Sequence, residues 1–241
     1  MIKRILASIA VIWLIIAILV PSFLAPQIEA QVRTFLDGRD AGQLREKGIV
    51  LQLERYQRGY FSSQADIRIS IRPYDGQPTW YSTTLHARIN HAPLFNSGIN
   101  LISATLSNSD SDGRYAPYLP DGHLHLQTRI AILGQIHQLI RIDANHTANL
   151  DSDGLRLSWH SHIRTLDRGN GEWLLGRQQW LEGRYRLDLT RSSGTYRSDG
   201  EALRLSAAQL NLTRRDISTS EQQDITLYNL QGTLTRAEQR Y

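Results

Sequence analysis

Cysteine is absent from the chain. That one absence removes thiol nucleophiles, zinc–cysteine centres and disulfide staples, and leaves the redox compartment undetermined. Lysine is nearly absent too, occurring only at Lys3 and Lys47, so the formal charge of +4 rests on arginines spread singly along the chain. Basic residues that grip nucleic acid cluster on one face or in one run; these do not, and no nucleic-acid partner is expected. Scattered arginines are better used as long stems that cover apolar surface while the head stays in water. Catalytic signatures are missing as well. There is no G-x-S-x-G elbow, no H-E-x-x-H helix and no S-x-x-K in a suitable setting. The sequence therefore nominates no catalytic, cofactor-binding or metal-ligating residue, and the protein is expected to be non-enzymatic.

One long hydrophobic run is present. Ile5 to Val20 reads ILASIAVIWLIIAILV, followed by Pro21, Ser22, Phe23, Leu24 and Ala25. Its length, roughly 20 residues, is what a helix needs to cross the hydrocarbon core. Lys3 and Arg4 precede it, which argues for a cytoplasmic N-terminus and export of the remainder. The run is longer than the apolar region of a cleaved signal peptide, so a retained signal-anchor is favoured. The expected organisation is a cytoplasmic tip (1–4), a transmembrane helix (5–25), a juxtamembrane helix ending at Gly38 with a linker (26–47), and a periplasmic β domain (48–241). For a bacterium this places a single-pass protein in the inner membrane, with its bulk in the periplasm.

Beyond Gly48 the dominant period is two. Ala65, Ile67, Ile69 and Ile71 alternate with Asp66, Arg68, Ser70 and Arg72, the pattern of a strand with one apolar and one wet face. Similar runs occupy 83–89, 124–132, 136–142, 155–163 and 185–189, with two further strands over 202–212 and 225–234. Asx- and Gly-rich stretches at 73–76, 108–113, 121–122, 151–154, 167–171 and 192–200 read as turns. Strands joined by short turns without intervening helices predict a mainly β fold, an extended, curved antiparallel meander, and exclude a parallel β-α-β arrangement. Roughly 200 residues suffice to bury a core without metals or disulfides.

The histidines invite a metal reading. His123-x-His125 and His160-x-His162 each put two imidazoles on one side of a strand, but on the polar side, where solvent-facing histidines need no ligand. The aspartates of Asp151-Ser152-Asp153-Gly154 suit turn capping, and the later glutamate of a calcium loop is missing. Asn145-His146-Thr147 and Asn211-Leu212-Thr213 match the glycosylation sequon.

The most distinctive local sequence joins two strands: Tyr56-Gln57-Arg58-Gly59-Tyr60-Phe61-Ser62-Ser63. Gly59 permits a tight reversal, with positive φ expected there, and Tyr60 and Phe61 are placed to cap the end of an apolar core. This corner resembles the YdgA-like family of bacterial membrane-anchored envelope proteins of unknown function. The leading hydrophobic helix, the stretch Gln27-Ile28-Glu29-Ala30, and His91-Ala92-Pro93-Leu94 after a strand are similar to that family too, although Ala92 stands where its members carry glycine. The resemblance implies an envelope location and β architecture, with only the family's N-terminal portion represented, and brings no catalytic residues.

A one-faced sheet beside a membrane anchor suggests a groove sheltering a lipid or another hydrophobic ligand. The competing expectation is an envelope scaffold or assembly factor that binds a protein partner by strand addition. The topology is open to direct test. Reporter fusions placed after Gly48 should be active only as extracytoplasmic reporters, and cytoplasmic activity there would defeat the envelope assignment.

Overall fold

The computed structural model describes residues 21, 23–34, 36, 38–72, 79–91, 100–131, 133–200 and 202–235. The apolar run Ile5–Val20 lies outside them, and among the described residues no helix is long and apolar enough to cross a membrane. The chain divides into two compact units, 1–116 with 129–132, and 117–128 with 133–241. The fold is mainly β, and every described strand pair within each unit is antiparallel.

The first unit opens with helix α1, residues 23–34, and a second helix α2, Arg39–Glu46. The linker expected after Gly38 is thus helical. Gln43, Leu44, Arg45 and Glu46 are good helix formers, and α2 packs on the first strand. Strands β1 (Ile49–Arg58), β2 (Ser62–Ile71), β3 (Tyr81–Asn90) and β4 (Asn100–Asp112) follow as a meander in chain order. β4 runs through Asn108–Asp112, where the sequence reads as a turn. It does so with Asp110 in the left-handed region, φ 50°, next to a register shift opposite Ser82–Thr84.

One face of this sheet carries the expected apolar stripe. Ala65 pairs with Ala87 and Ile67 with Leu85, and Ala65, Leu85, Ala87 and Ile89 are buried. The other face of β3 is buried at Ser82 and Thr84. Arg68 satisfies both, with Nε 2.8 Å from Ser82 Oγ and Nη1 3.2 Å from Thr84 Oγ1. Buried hydroxyls need such partners.

In the second unit β5 (Leu124–Ala131), whose residues are divided between the units, precedes β6 (Gln135–Ile142), β7 (Asn145–His146), β8 (Leu150–Ser152), β9 (Leu155–His162), β10 (Thr165–Leu175), β11 (Gln178–Glu182), β12 (Tyr185–Leu189), β13 (Ser192–Asp199), β14 (Ala202–Asp216) and β15 (Gln222–Thr235). The pairings reduce this to a simple plan. β6 with β7, β8 with β9, β10 with β11, and β12 with β13 are the two halves of four long strands. β6 pairs β9 while β7 pairs β8; β9 pairs β10 while β8 pairs β11; β10 pairs β13 while β11 pairs β12. β14 takes β13 along its first part and β12 along its second, and β15 lies along its other edge. The result is a six-stranded meander crossed by one transverse break at residues 143–144, 153–154, 176–177 and 190–191.

The break has a cause in side-chain phase. Covered residues advance by two within each half: Leu155, Leu157 and Trp159 on β9, or Ser192, Gly194 and Tyr196 on β13. Across the break they advance by three: Ile142 to Asn145, Ser152 to Leu155, Leu175 to Gln178, Leu189 to Ser192. An odd step in a flat strand sends its side chains to the opposite face, so the regular ladder is interrupted there, with Asp153 N still donating to Arg177 O and Gly176 N to Gly154 O at 2.9 Å. Registers align the steps, since Ile142, Leu155, Leu175 and Ser192 are successive partners on one side of the break. On the other side Asn145, Ser152, Gln178 and Leu189 are partners.

Backbone groups at the break are served partly by one another and partly by buried polar side chains, Ser152 Oγ accepting from Gly154 N at 3.1 Å. Gln178, 6% exposed, donates from Nε2 to the carbonyls of Gly154 (3.3 Å) and Gly176 (3.2 Å). Asn145 Nδ2 donates to Pro117 O at 2.7 Å, which closes that sequon side chain inside the fold. Gly154 stands at φ +88°, and a Cβ there would lie 2.3 Å from Ile142 O. Gly183 has a similar φ of +58° but open space around it. Gly183→Ala should therefore cost only the left-handed backbone penalty, about 1–2 kcal/mol. Gly154→Ala should lower the thermal midpoint distinctly further. Equal midpoints would mean that close approach at the break is not a constraint.

Candidate functional site

The segments singled out in the sequence converge at one end of the first unit. β1 ends at Arg58 and β2 begins at Ser62, with Gly59, Tyr60 and Phe61 between them. The Gly59 N–H donates to Ser62 O at 3.0 Å. Gly59 is not in the left-handed region, contrary to expectation. Glycine is required for a different reason, because a Cβ would sit 2.4 Å from Ser62 O. Tyr60 and Phe61 do not cap the core. They stand 47% and 54% exposed, edge to face at 4.7 Å. Tyr56, opposite Ala65, turns its hydroxyl inward, where no partner meets it among the described residues.

Behind the corner lies a sealed pair. Ser63 and His91 are both 0% exposed, and Ser63 Oγ is 3.2 Å from His91 Nε2. The His91 N–H also donates to Phe61 O at 3.0 Å. On the outer side Arg58 reaches Glu29 at 3.7 Å, and Glu29 pairs with Arg33 one helical turn on, at 3.1 Å. α1, the corner and the end of β3 are thus tied together by Glu29, Arg58, Phe61, Ser63 and His91. Pro93 and Leu94, the rest of the second family-like segment, lie outside the described residues.

A serine beside an imidazole is the beginning of a nucleophile–base arrangement. Here both groups are closed to solvent, and His91 Nδ1 has no partner among the described residues to orient the ring as a third member would. The pair works as a tie between strands. Burial also holds the His91 pKa below its usual 6.5.

The second unit holds a feature that sequence reading missed. Trp159 and Tyr196 face each other across Gly171, their register partner on β10. Their rings stack at 5.5 Å and 5° over it, where a Cβ would lie 2.6 Å from Tyr196. Gly169 is covered by Trp159 in the same way, and Gly194 by Trp173. Three aromatic rings therefore lie on three glycine seats, forming a floor on the covered face. The stretches 167–171 and 192–200, read as turns from their glycines, lie largely within β10 and β13 for this reason. Burial raises the Tyr196 pKa, and its hydroxyl donates to Ser158 O. Elsewhere in this unit two adjoining hollows of about 380 and 510 Å³ share Arg156 and Leu174; the first is also lined by Arg141, Asp143, Leu155 and Arg191, the second by Ser158, Glu172, Trp173 and Thr195.

Most of the described histidines are engaged. His86 meets Asp66 (2.7 Å) and Ser109 (2.6 Å), His125 meets Asp143 (3.0 Å), and His146 meets Asp151. Asp151 also takes Arg177 at 2.7 Å, so the aspartate suggested for calcium is committed to ion pairs. His162 Nε2 donates to Leu133 O at 2.9 Å, and His123 Nδ1 donates to Asp121 O at 3.0 Å. Among the described residues no group of three or more histidine or carboxylate side chains is placed to hold a metal ion.

The family described as bacterial protein of unknown function (DUF945) matches residues 1–239. The chain belongs to DUF945. No curated protein and no solved structure matches it. The YdgA-like resemblance carried by the corner is consistent with this membership, and the family's description supplies no activity.

The Ser63–His91 tie makes two testable statements. Ser63→Ala leaves a buried imidazole nitrogen without its partner, at an expected cost of about 1–3 kcal/mol in denaturant melts. A lowered folded-state pKa means that the folded form binds this proton less readily than the unfolded chain. Its stabilising contribution is therefore whole above about pH 6.5 and is lost as the pH falls from there towards the folded value. Melts at about pH 7.5 and about pH 5 should show a smaller acid-side loss in His91→Gln than in the wild type.

Proposed function

We propose that the protein is a non-enzymatic envelope protein, anchored in the bacterial inner membrane by residues 5–25, whose sheet faces shelter a lipid or another hydrophobic chain. The observation behind this reading is how little of the apolar stripe is fully covered. Among the described residues eleven apolar side chains are buried, and four of these are alanines. Ile67, Ile69 and Ile71 in the first unit, and Leu157, Trp159, Trp173 and Tyr196 in the second, are only half-buried. Apolar surface left in this state is a binding face by default. The reading attaches to these half-covered faces.

A second reading, partner binding by strand addition, has its own support. β15 pairs only with β14 among the described residues. It carries exposed Ile225, Leu227 and Tyr228, at 50%, 42% and 68%. It contains no lysine, arginine or proline, the devices that usually protect an edge.

Extraction of the purified full-length protein and mass spectrometry of the extract tests the first reading. Ile69→Asp should leave circular dichroism intact and deplete the co-purified hydrophobe, because a carboxylate on a half-open face stays hydrated. Leu85→Asp should unfold the first unit, since an unpaired buried carboxylate is strongly unfavourable. If Ile69→Asp unfolds the protein just as Leu85→Asp does, and no lipid is extracted from the wild type, the groove is refuted and strand addition takes its place.

A further inference from the structure

Histidines 137 and 160 differ from the carboxylate-paired histidines of this chain. They are direct register partners on β6 and β9, with Nδ1 atoms 2.7 Å apart. The rings meet edge to face at 4.8 Å and 80°. His86, His125 and His146 each face an aspartate, whereas here two imidazoles face only each other. At this separation one Nδ1 carries a hydrogen and the other offers its lone pair, so at least one ring is neutral. Both side chains are exposed, so a cation arriving between them loses little hydration. The next pairs on the same face of the β6–β9 ladder are Gln135 with His162 and Leu139 with Ser158, and Asn170 is the partner of His160 on β10. The guanidinium-bearing pair Arg141–Arg156 comes only two pairs further on.

We propose that His137 and His160 form a cross-strand chelate for a borderline divalent transition metal, with Cu²⁺ the preferred ion and Zn²⁺ a weaker one, completed by water. Imidazole nitrogen suits these ions, and affinity peaks at copper within the divalent series. With metal–nitrogen bonds of about 2.0–2.1 Å, two ligands at ordinary angles sit about 3 Å apart. Replacing the shared proton with a metal thus needs an opening of only a few tenths of an ångström between two surface side chains. Two protein ligands and open water positions make the ion exchangeable. It would also clamp β6 to β9, so binding stabilises the second unit by mass action.

The test uses untagged full-length protein in detergent micelles, titrated with Cu²⁺ and separately with Zn²⁺. The wild type should bind one equivalent of Cu²⁺, show electron paramagnetic coupling to two imidazole nitrogens, and melt at a higher temperature with metal present. His137→Gln and His160→Gln should each lose that equivalent and the melting shift, whereas His123→Gln and His162→Gln keep both. A readout without variants guards against loss of folding: Cu²⁺ should protect His137 and His160 of the wild type from carbethoxylation, read by peptide mass. If the wild type takes up no Cu²⁺, the contact is an imidazole–imidazole hydrogen bond only. If His137→Gln and His160→Gln bind as the wild type does, or if carbethoxylation of both histidines proceeds unprotected, the ion sits elsewhere. Either result overturns the proposal.

Discussion

Ladder pairing is the interaction on which the second unit depends, because a change of side-chain phase in one strand must be absorbed by a bulge or matched by the neighbour. Where Ile142 is followed three residues later by Asn145, the neighbour makes the same odd step at the same level. Ser152 to Leu155, Leu175 to Gln178 and Leu189 to Ser192 do so in turn. The step continues into β14 and β15, where Ala207 and Leu212 pair with Leu230 and Ile225. There the register is kept on both sides of the step, with no pair at the level of Asn229, which stands at φ 50°. The buried Ser152 and Gln178 follow from the same constraint, since Ser152 Oγ accepts from Gly154 N and Gln178 Nε2 donates to Gly176 O where the regular ladder is interrupted.

Much of the architecture was legible because alternation is local. Ile67, Ile69 and Ile71 declare their strand without reference to anything else, and the meander follows from such runs joined by short connections. Glycine was the misleading signal. Gly169, Gly171 and Gly194 resemble turn residues in sequence, and only the cross-strand register reveals that Trp159, Tyr196 and Trp173 need them bare. Gly59 misled in a subtler way: the residue was right for a tight corner, but the reason was close approach to Ser62 O, which no propensity encodes. The phase slip was present in the sequence as spacing. It becomes meaningful only when several strands are aligned.

The corner shows the other limit of sequence reading. Ser63 and His91 are separated by a full strand and its connection, yet they form one buried contact, and Glu29 joins them through Arg58. These residues come from three of the segments that carry the family resemblance, so what looked like separate short motifs is one joint between a helix and the ends of three strands. Its chemistry is cohesive rather than reactive, with a sealed serine, a neutral imidazole and an ion pair on the outside. The exposed rings of Tyr60 and Phe61 project from this joint on a backbone held at both ends.

β15 sets a gradient across the second unit. It is held along one edge by β14, its side chains are mostly exposed, and the strand before it has partners on both sides. A strand held along one edge opens locally without breaking any other pairing in the ladder. Its amide protons outside the β14 bonds exchange with solvent at once, and those within follow when the edge frays. Fraying that begins at β15 thus reaches the glycine-seated aromatic floor on β9, β10 and β13 only after β14 has let go of β13.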